Sequence, residues 1–313
     1  MLETFKATLS PMLVMFFCIV IGFILNKKKI TPENTATVLS KLENNVLVPA
    51  GIISVFGKNC TVSALSENYI SLAYCIIPLA IAVCLALFLS RFFSTTAYRR
   101  NIYKYALTFG NFGFMGLAIV PAILGEEMHF KYLLYILPLY ALVYTWGNAI
   151  LIPHGEEKNS ILKSILNPIC ISFVIGAVIG LTGLWNYTPE AIQTTVANLG
   201  ACMGPISMVL TGFVIGNFDV LKLLKKKRVY LATLLRLIVL PAFFVTLIWL
   251  LGASKENMIL CLFAFGTPLG LNTVVYPAAY GGDTKTGASM AMISHTLCVI
   301  TIPLMYALLN VIF

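Results

Sequence analysis

No charged residue occurs between Glu67 and Arg91, between Lys131 and Glu156, between Glu190 and Asp219, or after Lys285. Each interval is at least as long as the ~20 apolar residues that carry a helix across the hydrocarbon core of a bilayer. Inside that core no water satisfies a backbone N–H or C=O, so a spanning segment has to close its own hydrogen bonds. The chain is therefore read as an integral membrane protein built from helices. Its composition agrees: 59% of residues are hydrophobic, 11% are charged and the mean hydropathy is +0.91, against about 25% charged in soluble domains. The 313 residues hold about ten spans of ~20 residues with short loops, which leaves no room for a separate soluble domain.

Breaking the chain at charges and turn residues gives spans at 7–26, 36–57, 69–91, 102–124, 130–152, 161–184, 191–217, 229–252, 257–280 and 286–312. The fold class expected is all-α, with ten transmembrane helices. Lys27, Lys28 and Lys29 close the first run, which is read as a retained span rather than a cleaved signal. Most of the 21 basic residues fall in loops after odd spans, as Arg99 and Arg100, Lys158 and Lys163, and Lys225 to Arg228 do. Only Lys6, Lys58, Lys131 and Lys255 fall on the opposite side, and Arg236 lies within the eighth span. By the positive-inside rule, odd loops face the cytoplasm and both termini face out, in a multi-pass protein of the cell membrane. The net charge of +9 is thus a topology signal and not a nucleic-acid surface. Seven of the eight cysteines lie in apolar segments without CxxC or CxxH spacing, so neither disulfides nor a metal site is expected.

The two halves of the chain resemble each other. "ITPENTATV" from Ile30 falls near "YTPEAIQTT" from Tyr187, the Thr-Pro-Glu match lying at an offset of 157. At an offset of 156, "GNFGFMGLAIVPAILG" from Gly110 lies over "GTPLGLNTVVYPAAYG" from Gly266, pairing Pro121 with Pro277 and Gly125 with Gly281. Five spans per half, residues 1–155 and 156–313, turn the second copy upside down, which is the inverted-repeat plan of secondary transporters. In that plan, helices four and nine, interrupted by Gly and Pro, meet near the midplane. At 1.5 Å per residue, Asn111 lies ~14 Å into the fourth span and Thr267 and Pro268 ~15–17 Å into the ninth, close to the middle of a ~30 Å core.

Broken backbone at that depth is tolerated only where protein or a water-filled cavity surrounds it. Each half-helix that begins after a break presents free N–H groups and the positive end of its dipole, which suits a carboxylate. The substrate-binding candidates are Asn111, Gly113, Gly116, Thr267, Pro268, Asn272 and Thr273, with Ser207 as a further polar contact. Pro121 and Pro277 are the candidate helix breaks. For one segment alone, the glycines read as close-packing residues and the prolines as kinks; the matched second copy tips the balance toward a site.

These segments resemble the auxin efflux carrier family, which includes plant auxin exporters and bacterial malate permease-like proteins. "GNFGFMG" is similar to the family's fourth span and "TPLGLNTVVYPAAYGGD" to its ninth. "PISMVLTGFVIG" is similar to its seventh, Arg236 with Pro241 to its eighth and "ISHTLCVITIP" to its tenth. The resemblance implies a five-plus-five inverted repeat, a scaffold and a transport domain, and an organic-anion site where spans four and nine cross. It also implies a fold similar to the bile-acid sodium symporters. Plant members carry a crossing proline where this chain has Ala118, and Thr273 stands at the corresponding ninth-span position. The break is accordingly expected either around Gly113 and Gly116 or nearer Pro121.

Most carboxylates flank the spans; Glu43 alone is placed to reach into the bundle, which argues against simple cation antiport. Arg236 and His295 are the other ionisable residues at helix depth, candidates for anion attraction and for coupling. Against those roles, Arg236 can snorkel or bind a backbone carbonyl, and His295 can be a neutral hydrogen-bonded histidine. No HExxH, GxSxG or P-loop occurs, so no enzyme and no catalytic residue is expected. The leading expectation is a secondary active transporter of a small organic anion, such as malate or an auxin-like acid, working by alternating access. A sodium-coupled symporter, a channel and a ligand-binding sensor without flux are the alternatives. The partners expected are the anion and the lipid bilayer. Proton or sodium coupling and homodimerisation stay open, and no cofactor or nucleic acid is expected.

Overall fold

The computed structural model describes residues 1–153 and 166–313. Lys158, Lys163, the start of the sixth expected span and the boundary between residues 155 and 156 lie outside the described residues. Among the described residues the chain is all-helical, 84% helix with no strand. In chain order the helices are α1 (Leu2–Lys27), α2 (Thr35–Asn59), α3 (Val62–Asn68), α4 (Ile70–Phe93), α5 (Ala97–Thr108) and α6 (Phe112–Leu124). They continue with α7 (Glu126–Tyr135), α8 (Leu137–Leu151), α9 (Pro168–Leu181), α10 (Glu190–Gly216) and α11 (Val220–Leu224). The last four are α12 (Lys227–Leu250), α13 (Lys255–Phe265), α14 (Asn272–Ala279) and α15 (Thr284–Ile312).

Five of these, α1, α4, α10, α12 and α15, are long and apolar enough to cross a membrane unbroken. Two bent pairs, α2 with α3 at 101° and α7 with α8 at 42°, raise the number to seven. The shorter α6 and α9 are also apolar. Helix starts follow capping chemistry. Asn167 accepts from the backbone N–H of Ile169 and Cys170 at 3.0 Å ahead of Pro168, and Asp283 accepts from Lys285 N at 3.0 Å at the head of α15.

Apolar side chains cover outward faces as well as the core. On α1, Leu13, Val14, Phe17, Ile21 and Ile24 are exposed, whereas Met12, Met15, Ile19 and Gly22 turn inward. An outward stripe of that kind needs lipid around it. Lipid tails give helices no hydrophobic reason to associate, so close packing has to hold them together. The seam between α1 and α10 shows how close it becomes: a Cβ at Gly22 would land on the Val209 carbonyl oxygen, and one at Gly212 on that of Ile19. Gly51 and Gly200 meet backbone to backbone in the same way between α2 and α10. Together with α9, which lies along α2, these helices form one packed group. The other consists of α4, α5, α7, α8 and α12 to α15, with α15 also against α1.

Four π-turns interrupt the α-helical ladder, at Glu43–Leu47, Phe112–Gly116, Val143–Gly147 and Leu235–Val239. The first and last each end two residues before a proline, Pro49 and Pro241. Proline has no N–H and crowds the carbonyl four residues back, and a wider turn upstream absorbs both. Glu43 and Arg236 are placed by these two turns.

Candidate functional site at the helix crossing

The chain opens at residues 109–111, between α5 and α6, and at 266–271, between α13 and α14. Phe109 is extended (φ −115°, ψ 127°), which carries the backbone out of α5. The two openings cross. Gly110 and Leu269 form an isolated antiparallel bridge, and Asn111 N donates to Pro268 O at 2.6 Å. Leu269 N donates to Ser294 Oγ of α15 at 3.0 Å. Backbone groups that lipid would leave unsatisfied are thus answered by one another and by a hydroxyl. The break lies ahead of Gly113 and Gly116, while Pro121 and Pro277, expected as the breaks, sit inside α6 and α14.

The C-terminal ends of α5 and α13 and the N-terminal ends of α6 and α14 converge here. Arg236 of α12 serves the first of these ends. It is fully buried and does not snorkel; its Nη1 donates to the carbonyls of Leu107 and Thr108 at 3.3 and 3.2 Å. A cation at a helix C-terminus complements the carbonyls that no longer have intrahelical donors. Nη2 lies beside Gly110 and Thr267, where a Cβ on Gly110 would collide with it. Among the described residues, neither Nε nor Nη2 has a hydrogen-bond partner. Arg236 therefore brings a positive charge with spare N–H donors to the crossing.

Asn111 and His295 form a second link. His295 Nδ1 lies 2.7 Å from the Ala291 carbonyl, which only accepts, so that nitrogen carries the proton. Nε2 is then an acceptor and receives the Asn111 amide Nδ2 at 3.1 Å. His295 is in this arrangement a neutral positioning group for Asn111, and the Asn111 Oδ1 takes no hydrogen bond among the described residues. On the other strand, Asn272 Nδ2 donates to Tyr105 Oη at 2.8 Å and to Asn148 Oδ1 at 3.1 Å. Asn148 Nδ2 in turn donates to Tyr276 Oη at 2.9 Å. Thr273 Oγ1 bonds the Gly270 carbonyl at 2.9 Å and Thr267 Oγ1 faces the Ala264 carbonyl at 3.4 Å. These two threonines therefore satisfy local backbone.

The glycines of α6 make room for tyrosines. A Cβ at Gly113 would meet the Tyr140 hydroxyl, and one at Gly116 the Tyr132 hydroxyl. Tyr132 Oη donates to the Phe112 carbonyl at 3.1 Å, and Tyr140 Oη reaches that of Gly113 at 3.4 Å. Ser207 stands apart from the crossing and donates to Glu43. Tyr105, Tyr132, Tyr140, Asn148 and Ser294 were not singled out in the sequence. For Asn148 the signal was present, an amide inside an uncharged apolar run; tyrosines are too common in such runs to stand out.

Two cavities flank the crossing. One, of about 700 Å³, is lined by Lys58, Glu126 and His129 at its mouth and by Ala118, Gly204 and Pro205 deeper in. The other, of about 40 Å³, is lined by Asn44, Tyr105, Gly110, Asn111, Tyr140 and Asn272. Along α5 and α6, the small inner space is lined by Tyr105 and by Gly110 to Phe114, and the large vestibule by Leu117, Ala118, Pro121 and Ala122. Helical ends, a buried guanidinium and amides converge at the crossing.

No curated protein sequence gives a significant match to this chain. The model of the membrane transport protein family, Mem_trans, matches residues 7–161 and 156–306, nearly the whole length. That family comprises transporters and not enzymes. An all-helical architecture with multiple apolar spans, broken helices at a buried polar crossing and these two matches lead to one assignment: the chain is a multi-pass membrane protein belonging to the membrane transport protein family, that of the auxin efflux carriers.

Proposed function

We propose that the protein is a secondary active transporter of a small organic anion that works by alternating access at the crossing of α5–α6 with α13–α14. The observation that carries this reading is Arg236, fully buried beside Gly110 and Thr267 with Nε and Nη2 unpartnered. A guanidinium with spare donors suits a carboxylate. The N-termini of α6 and α14 favour the same charge. Asn111 and Asn272 supply neutral polar contacts from the two strands.

In this reading the chain makes ten crossings as two inverted halves, residues 1–155 and 156–313. The fourth crossing is α5 with α6 and the ninth is α13 with α14; both termini lie outside the cell. The vestibule then opens to the outside and the small inner space faces the cytoplasm. One group of helices, α1, α2, α9 and α10, acts as the frame. The group that carries the crossing moves against it.

The test is uptake into proteoliposomes of labelled mono- and dicarboxylates, with and without proton and sodium gradients. Saturable flux with counter-transport is expected for at least one carboxylate. Failure of every carboxylate to move or bind removes the anion assignment. Accessible tags at both termini on the cytoplasmic face would overturn the orientation.

A further inference from the structure

Among the described residues, Glu43 is the one buried carboxylate. It lies in the first π-turn of α2, with none of its surface exposed. Ser207 Oγ of α10 donates to Oε2 at 2.6 Å, and Oε1 has no partner among the described residues. The groups around it come from four helices. Ser207 and Thr211 stand on α10, with the Thr211 hydroxyl already bonded to the Ser207 carbonyl at 2.8 Å. Tyr140 on α8 is an uncharged neighbour, and Cys170 on α9 lies in turn near Tyr140. Lys41 on α2 itself is exposed at the helix surface. Among the described residues no lysine, arginine or histidine forms an ion pair with Glu43.

An ionised carboxylate taken out of water with a single hydroxyl donor is poorly compensated, so the neutral acid is the form this geometry holds. Such a group is expensive to keep in a membrane helix, and its place in the molecule supplies the reason. Asn44, the next residue, lines the inner space together with Asn111. Gly204 and Pro205, one turn before Ser207, line the vestibule. Neither Glu43 nor Ser207 lines a cavity, but their neighbours in sequence line both.

We propose that Glu43 is a proton-binding coupling site, carrying one proton in the state that takes up the anion and losing it when the opposite side opens. This deepens the transporter reading and rests on it. The coupling has a definite sign. Asn44, adjacent to Glu43, shares the inner space with Asn111, so an ionised Glu43 disfavours a carboxylate in that space and a protonated one does not; proton and anion binding therefore favour each other, and the two travel together. The proton comes from water on the loading side, forms the carboxyl O–H bond, and returns to water when that bond breaks on the other side. Ser207 stabilises the charged form between those events.

Two measurements on the full-length protein in liposomes test this. Infrared titration of the wild type is expected to show a protonated carboxyl near neutral pH that is absent from Glu43→Gln, whose amide mimics the neutral acid in shape. Ser207→Ala removes the only donor to the carboxylate and should raise the titration midpoint by about one pH unit. In flux assays, an imposed pH gradient should drive anion accumulation by the wild type, and Glu43→Gln should lose at least about tenfold of that drive, a change equivalent to 1.4 kcal/mol. The proposal is overturned if the carboxyl is ionised at neutral pH, if the pH-driven component survives in Glu43→Gln, or if sodium alone supplies the drive. If neither protein moves any carboxylate, the transporter reading fails, and the infrared titration still decides whether Glu43 carries an exchangeable proton.

Discussion

Arg236 and Glu43 share a local setting. Both are fully buried, and both lie in a π-turn that ends two residues before a proline. They differ in what surrounds them. Arg236 meets the carbonyls of Leu107 and Thr108, acceptors that exist because α5 stops at mid-depth. Glu43 meets a single hydroxyl and no cation. A wide turn can place a charge inside a membrane bundle, but the neighbouring backbone decides what the charge does. Where a helix end is exposed, the charge becomes part of the architecture. Where the helices run on unbroken, the charge is free to change its protonation.

The largest expected effect tests the architectural side of that contrast. Arg236→Met leaves two buried carbonyls without donors, each bond to a charged group contributing about 1.5–3 kcal/mol. Transport should disappear and the thermal unfolding temperature in detergent should fall; Arg236→Lys, which keeps the charge but lacks the planar fork, should recover part of the stability and little of the transport. Unchanged melting of Arg236→Met would reduce the arginine to a substrate contact alone.

Gly116→Ala asks whether a neutral group does the same task nearby. The new methyl displaces the Tyr132 hydroxyl from the Phe112 carbonyl, and a loss of about 1–3 kcal/mol is expected. The double variant with Tyr132→Phe should soften it. Asn111→Ala sharpens the comparison from the ligand side. It spares the Asn111 N–H bond to Pro268 and removes only the amide held by His295. Transport efficiency should drop about tenfold or more with melting nearly unchanged, and unaltered kinetics would remove Asn111 from the site.

The smallest effect belongs to a charge pair that water reaches. Arg99 Nε donates to Asp283 Oδ2 at 2.7 Å near the head of α15. Burial alone would raise the Asp283 carboxyl, but the bonds from Arg99 and Thr286 outweigh it and hold it below its ordinary value. Its stabilising contribution is therefore present above the unfolded value of about 3.9 and is lost as pH falls through the lower folded value. Asp283→Asn should cost less than about 1 kcal/mol near neutral pH and flatten the acid limb of a melting-temperature profile.

The crossing was legible in the sequence because Gly110, Asn111, Thr267 and Pro268 are costly in an apolar run, and the two segments that hold them match at one offset through Gly110 and Gly266, Pro121 and Pro277, and Gly125 and Gly281. The position of the break was not. Local rules point to Pro121 and Pro277, yet both are carried inside helices, and Pro121 lines the vestibule. The opening falls at residues 109–111, where Pro268 accepts from Asn111 N and Arg236 donates to the Thr108 carbonyl, while Ser294 accepts from Leu269 N in the facing segment. Tertiary partners and not local breakers choose the site of rupture. The same reason hid the partners of Glu43: its depth could be guessed from the sequence, but Ser207 enters from a helix 164 residues away.

The glycine seams between α1, α2 and α10 have a mechanical consequence. Where a main chain presses on a main chain, with no side chain between to flex or change rotamer, two helices have no slack for sliding. Gly22 against Val209, Gly212 against Ile19 and Gly51 against Gly200 act as rivets along one side of the bundle. In the proposed transport cycle, a stroke that closes the vestibule and opens the inner space has to pivot on the rest of the molecule. Disulfides engineered across these seams should leave that stroke intact, while the same clamp placed between α1 and α15 should arrest it.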